Sequence, residues 1–232
     1  MTSIANNFDR VALNIAQACS AAGRETSQVQ LLAVSKTRTP EQLQELYSAG
    51  QRHFGENYLQ EALDKIEALQ ALDINWHFIG PIQSNKTKAI AEHFNWVHSV
   101  DRLKIAKRLS DQRPAHLPPL NVCLQVNISE EQSKSGCLPG DCLALVQAVA
   151  GLPNIALRGL MAIPKASEHL AEQRAAFAAM RSLLEHVKSV APQLDTLSMG
   201  MSGDIAPAIA EGATIVRVGT ALFGPRNYGT NA

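Results

Sequence analysis

Ile4, Phe8, Val11 and Ile15 fall on one helical stripe with small alanines beside them, so the chain opens with an amphipathic helix, expected over residues 3–22. After Gly23 the pattern changes. Short β-branched or apolar runs then alternate with segments of helical period, the signature of βα units around a parallel sheet. Strands are expected at 30–35, 52–55, 75–80, 96–100, 121–128, 156–163, 196–199 and 214–219. Between them lie helical stripes such as Leu59, Ala62, Leu63 and Ile66, or Phe177, Met180, Leu184 and Val187. Eight strands alternating with helices predict an α/β fold, a single (β/α)8 TIM-like barrel over 29–224 with an extra N-terminal helix and a short C-terminal tail. The proline-rich stretch from Arg113 to Pro119 reads as a loop before the fifth strand. A domain split there would leave two four-stranded halves whose apolar strands each need cover on both faces. Residues 1–232 are therefore expected to be one domain.

Composition removes several function classes. Lys plus Arg equals Asp plus Glu, 21 against 21 in 232 residues, and no long run of one sign occurs, so no electrostatic footprint for nucleic acid is expected. The first residues lack a basic segment followed by an apolar one, and no apolar run approaches the roughly 20 residues that span a bilayer. No membrane association and a cytoplasmic location are expected. Cys19, Cys123, Cys137 and Cys142 fit neither a Cys-x-x-Cys pair nor a zinc spacing and read as packing thiols. The seven histidines show no His-Glu-x-x-His spacing, so metal catalysis is not expected. No exposed apolar seam stands out, which points to a monomer.

In a closed eight-stranded barrel the first strand lies beside the eighth. Lys36, at the end of Leu31-Leu32-Ala33-Val34-Ser35, then shares a mouth with Arg217-Val218-Gly219-Thr220 and with the loop Ser198-Met199-Gly200-Met201-Ser202-Gly203. Glycines let backbone N–H groups approach phosphate oxygens closely, and the Ser202 and Thr220 hydroxyls add donors. Asp204 is placed to cap the helix that follows. Val34 and Lys36 share strand parity and face the barrel axis, where desolvation makes an amine more nucleophilic and suits it to Schiff-base formation. The duller readings are glycines that merely turn the chain and a lysine snorkelling to solvent. Arg217 also points inward and needs an acceptor: either an internal carboxylate, for which Glu56 is the candidate, or a pyridine-ring nitrogen, which accepts only when unprotonated. Asn57 is placed to hydrogen-bond a ligand oxygen or to cap a helix. Lys165, after the sixth strand, is a rival Schiff-base lysine.

Leu32-Ala33-Val34-Ser35-Lys36, Phe54-Gly55-Glu56-Asn57-Tyr58, Trp76-His77-Phe78-Ile79-Gly80 continuing to Lys86, Gly159-Leu160-Met161, Ser198-Met199-Gly200-Met201-Ser202 and Arg217-Val218-Gly219-Thr220 resemble the pyridoxal phosphate homeostasis protein family. That family is similar to the amino-terminal barrel domain of alanine racemase. The resemblance implies that Lys36 carries pyridoxal 5′-phosphate as a Schiff base, that Arg217 faces the pyridine nitrogen, that Ser202, Gly219 and Thr220 hold the phosphate, and that Asn57 lies near the ring hydroxyl. Alanine racemases add a carboxy-terminal β domain, and dimerisation supplies a catalytic tyrosine; neither is expected here, so two-base racemisation lacks a partner. The leading expectation is a carrier or regulator of the intracellular vitamin B6 pool, not an enzyme, serving PLP-dependent apoenzymes. The alternatives are a slow PLP-dependent racemase or lyase using Lys36 as its single base, and a cofactor-free aldolase using Lys165 or Lys36.

Overall fold

Ser3 stops the chain extended and accepts the Asn6 backbone N–H at 3.2 Å, which starts α1 (Ile4–Ala21). In this computed structural model, which describes residues 3–131 and 135–225, α1 buries Ile4, Val11, Ile15, Ala18 and Cys19. The face packs against α8 (Ile205–Ala210) and α9 (Thr220–Phe223). Asn7 fixes the join by donating from Nδ2 to the Leu222 carbonyl at 2.9 Å. Arg24, just past the helix, donates to the carbonyls of Ile209 and Ala213, both at 2.8 Å. The extra helix is thus a brace across the end of the chain that closes the barrel.

The strands are β1 (Gln30–Val34), β2 (His53–Glu56), β3 (Asn75–Phe78), β4 (Trp96–Val100), β5 (Leu120–Val126), β6 (Ile155–Ala162), β7 (Thr196–Ser198) and β8 (Ile215–Val218). All neighbours are parallel and the sheet closes, with Leu32 of β1 opposite Arg217 of β8. The expected (β/α)8 barrel is therefore present. Its helices α2 (Pro40–Ser48), α3 (Leu59–Ala68), α4 (Thr87–His93), α5 (Leu103–Gln112), α6 (Cys142–Ala150) and α7 (Leu170–Val187) cover the outside of the sheet, and α8 and α9 complete the ring. The expected tail after 224 lies, from residue 226 onward, outside the described residues.

Between sheet and helices sits an apolar layer including Phe54, Leu43, Leu46, Ile105, Leu109 and Phe177, all essentially without exposure. Inside the barrel the packing is more polar than the branched aliphatics that usually fill such barrels. His77, His98, Ser198 and Arg217 are all buried there. β4 and β7 are not neighbours in the sheet, so the 2.8 Å contact between His98 Nδ1 and Ser198 Oγ crosses the barrel interior. Tight strand packing is visible at Gly159, where a Cβ would lie 1.9 Å from the Thr196 carbonyl oxygen of the next strand.

Candidate functional site at the barrel mouth

Three segments meet at the mouth because β1 lies next to β8. Ser35 continues the β1 pairing by donating its N–H to the Gly55 carbonyl at 3.0 Å, and Lys36 follows. At Gly219 a Cβ would sit 3.2 Å from the Val34 carbonyl oxygen and 3.4 Å from the Val34 Cβ, so the end of β8 is pressed against the end of β1. Gly200 has φ of 93°, in the left-handed region, and its carbonyl accepts the Arg217 N–H at 2.9 Å. The chain after β7 consequently folds back over β8. Met201 and Asp204 then close a small loop, since the Asp204 N–H donates to the Met201 carbonyl at 3.0 Å and the Asp204 carboxylate accepts the Met201 N–H.

The result is a cavity of about 280 Å³ lined by Val34, Lys36, Arg38, Met201, Ser202, Gly203, Arg217, Gly219 and Thr220. Lys36, Arg217, Ser202, Gly219 and Thr220 therefore share one site, as the strand parities require. Sequence reasoning missed Arg38, and it placed Gly203 in the mouth loop without giving it a role of its own. The alternation Val34, Lys36 stops at Thr37, whose φ of 62° turns the chain, so strand parity held no signal for Arg38. At Gly203 nothing lies within 4 Å of where a Cβ would be, so its backbone faces open space. Among the described residues three cationic side chains and no carboxylate line the cavity, an arrangement that favours an anion.

Arg217 enters the barrel and is almost completely buried. Nη1 donates to the Ser198 carbonyl at 2.6 Å and to Ser198 Oγ at 2.9 Å, and Nη2 donates to the Ala162 carbonyl at 2.9 Å. Burial pulls its pKa down to about 10, with the Asp204 carboxylate opposing, so the group remains a cation at neutral pH. Ser198 Oγ also lies 2.8 Å from His98 Nδ1, which joins the guanidinium to the imidazoles. His98 Nε2 lies 2.9 Å from His77 Nδ1, and His77 Nε2 lies 3.0 Å from His53 Nδ1, so the three rings form one chain in which the middle ring donates from one nitrogen and accepts at the other. The imidazoles are neutral. Burial, and secondarily the Arg217 charge, lowers His98 to about 3, while burial with its two histidine neighbours holds His77 well below the usual range.

Other expected contacts are corrected. Glu56 is not the partner of Arg217, because it follows Gly55 on β2 and faces the helices. Its Oε1 instead accepts from Lys65 Nζ at 2.8 Å and from Ser35 Oγ at 2.6 Å. Burial raises the Glu56 pKa, with the Lys65 ammonium opposing that rise. Asp204 does not cap α8 with its side chain; that carboxylate is turned to Met201. Tyr58, not Asn57, stands at the start of α3, and Asn57 lines two adjoining hollows rather than the cavity of Lys36. Lys165 is exposed, with its backbone N–H on Ser129 Oγ at 2.9 Å, and is not part of that lining.

Residues 7–227 match the family described as alanine racemase, N-terminal domain. The pyridoxal phosphate homeostasis protein of Pseudomonas aeruginosa is 62% identical over 232 residues, covering 100% of both chains, and that of Vibrio cholerae is 52% identical over 236 residues with the same coverage. Among solved structures, PipY of Synechococcus elongatus with PLP bound is 42% identical with a TM-score of 0.79, covering 90% of this chain and 100% of that one. With a shared barrel, near-complete coverage and these identities, the chain belongs to the pyridoxal phosphate homeostasis protein family, built on the alanine racemase N-terminal fold.

Proposed function

We propose that this protein binds pyridoxal 5′-phosphate at the barrel mouth and acts in vitamin B6 homeostasis as a carrier or regulator. The observation that carries the reading is the single cavity in which Lys36 meets Ser202, Gly219, Thr220 and Arg217. Its volume is close to the lower bound of about 300 Å³ for small-molecule sites. The residues fit the group: a cationic lining suits a phosphate dianion, and the open space at Gly203 leaves backbone amides accessible to it. The names of the relatives and the PLP-bound PipY structure support the same ligand.

When bound, pyridoxal phosphate supplies an aldehyde carbon that condenses with an unprotonated amine, releasing one water and leaving a C=N bond. Lys36 Nζ is the amine for that bond. Ser202, Gly203, Gly219 and Thr220 hold the phosphate, with Arg38 adding positive charge at its rim. Arg217 faces the ring nitrogen as a donor, and its cationic charge disfavours a proton there. An unprotonated ring is a weaker electron sink, which suits retention of the cofactor better than carbanion chemistry. Asn57, which lines hollows apart from the Lys36 cavity, is retained as the candidate for the ring hydroxyl side. We take the protein to work as a cytoplasmic monomer that supplies PLP-dependent apoenzymes. In support, the described residues contain no helix long and apolar enough to cross a membrane, and the large exposed apolar side chains among them include Leu13 on α1, Leu138 in the loop before α6 and Leu170 on α7.

The test is an absorbance scan of purified protein with PLP, before and after borohydride, followed by peptide mapping. A visible band in the wild type, a pyridoxyl mass on Lys36 and loss of both in Lys36→Ala are expected. A pyridoxyl mass on Lys165 with Lys36 unmodified would overturn the assignment. Sustained, Lys36-dependent conversion of a free amino acid would favour the racemase or lyase reading.

A further inference from the structure

Behind the mouth, on the helix side of β1 and β2, lies a buried ionic cluster that the binding site does not contain. Lys65, on α3, is only 3% exposed, and its ammonium has three acceptors: the Ser35 carbonyl at 2.7 Å, Glu56 Oε1 at 2.8 Å and Glu61 Oε1 at 2.5 Å. Glu56 is fully buried and its Oε2 has no hydrogen-bond partner among the described residues, so this cluster is held at a cost in desolvation. Its second set of contacts gives a reason for retaining it. Glu56 Oε1 also accepts Ser35 Oγ at 2.6 Å, and Glu61 Oε1 also accepts the Thr37 backbone N–H at 2.5 Å.

Those contacts fall on the residues immediately before and after Lys36. Ser35 is held through its carbonyl by Lys65 and through its hydroxyl by Glu56. Thr37 is held through its N–H by Glu61, although its φ of 62° is one that a β-branched residue seldom adopts. The backbone then turns sharply, with the Arg38 N–H on the Ser35 carbonyl at 3.1 Å. The Ser35 hydroxyl and the Thr37 N–H are directed at the cluster, while Lys36 between them lines the cavity. We propose that Lys65, with Glu56 and Glu61, is a positioning residue that aims Lys36 at the aldehyde carbon of the bound phosphate ester. The proposal rests on the reading of Lys36 given above. Lys65 does not touch the ligand; it acts by fixing the main chain on both sides of the amine that does.

Two ligands separate positioning from general structural support. Pyridoxal 5′-phosphate offers an aldehyde to Lys36, whereas pyridoxine 5′-phosphate carries an alcohol at the same place and binds only through ring and phosphate. Dissociation constants for both are measured calorimetrically on the full-length wild type, Lys65→Met, Glu61→Ala and the neutral pair Lys65→Met/Glu56→Gln. The last two keep the test valid if Lys65→Met, with its stranded Glu56 charge, fails to fold. Expected is a loss of about tenfold or more for the aldehyde in the folded variants, with the alcohol within about twofold of wild type. Equal losses on both ligands, or no loss on either, would overturn the positioning role. A wild type that does not discriminate between the two compounds would instead defeat the reading of Lys36 itself, and this proposal with it.

Discussion

Replacing His98 by glutamine tests whether the barrel interior is built around uncharged imidazoles. His98 is wholly buried between Ser198 Oγ, at 2.8 Å, and His77 Nδ1, at 2.9 Å. Its pKa falls from the ordinary 6.5 to about 3, chiefly because burial disfavours the charged ring and secondarily because Arg217 is close. The fold therefore prefers the neutral form, and the unfolded chain binds the proton more readily. Stability from this group is complete above about pH 6.5 and is lost progressively as pH falls toward the folded value. Two pH units below the unfolded pKa, near pH 4.5, the loss is 2 × 1.36, or about 2.7 kcal/mol. Glutamine does not titrate, and its carbonyl can accept from Ser198 while its amide donates to His77. Urea unfolding of both proteins at about pH 7.5 and pH 4.5 gives the comparison. Carboxylates common to both cancel, so the acid-induced loss should be smaller by about 2.7 kcal/mol in His98→Gln. Equal losses within about 0.5 kcal/mol would show that His98 titrates normally in the fold and would refute the reasoning.

Two more perturbations address the scaffold. Gly159→Ala places a methyl 1.9 Å from the Thr196 carbonyl oxygen and must part β6 from β7, so denaturant unfolding should show a loss above about 3 kcal/mol. Gly140→Ala, with nothing within 4 Å, should stay within about 0.5 kcal/mol and is the control. Ser198→Ala removes the hydroxyl shared by Arg217 and His98, at a cost of about 1–3 kcal/mol, and should weaken PLP binding as the guanidinium loses a fixed acceptor. Unchanged stability and affinity would show that the hydroxyl does not hold the guanidinium in place.

The strand order was legible because each β segment is a short apolar run between helical periods, and β4 falls at 96–100 as read. The meeting of Lys36 with Gly219 followed from closure alone, since β1 and β8 must pair in an eight-stranded ring. What escaped depends on how pieces dock. Parity already placed Glu56 on the face opposite Gly55, yet matching it to Arg217 by charge ignored that. Its true partner, Lys65, sits on a helix whose rotation against the sheet no local pattern specifies, and the Glu61–Lys65 spacing reads equally well as a solvated surface pair. His53, His77 and His98 each occupy inward positions on successive strands. Their link to Ser198 spans the ring and depends on the stagger of the closed sheet, which spacing along the chain does not encode.

The seam between β1 and β8 has a consequence for biogenesis. Lys36 leaves the ribosome long before Gly219 and Thr220, so the two halves of the site are assembled only when β8 slots into place beside β1. A ligand gripping both would fasten the first and eighth strands to each other and favour the completed ring by mass action. Partially synthesised or clipped chains would lack one half of that grip, which would keep cofactor from being sequestered by unfinished molecules.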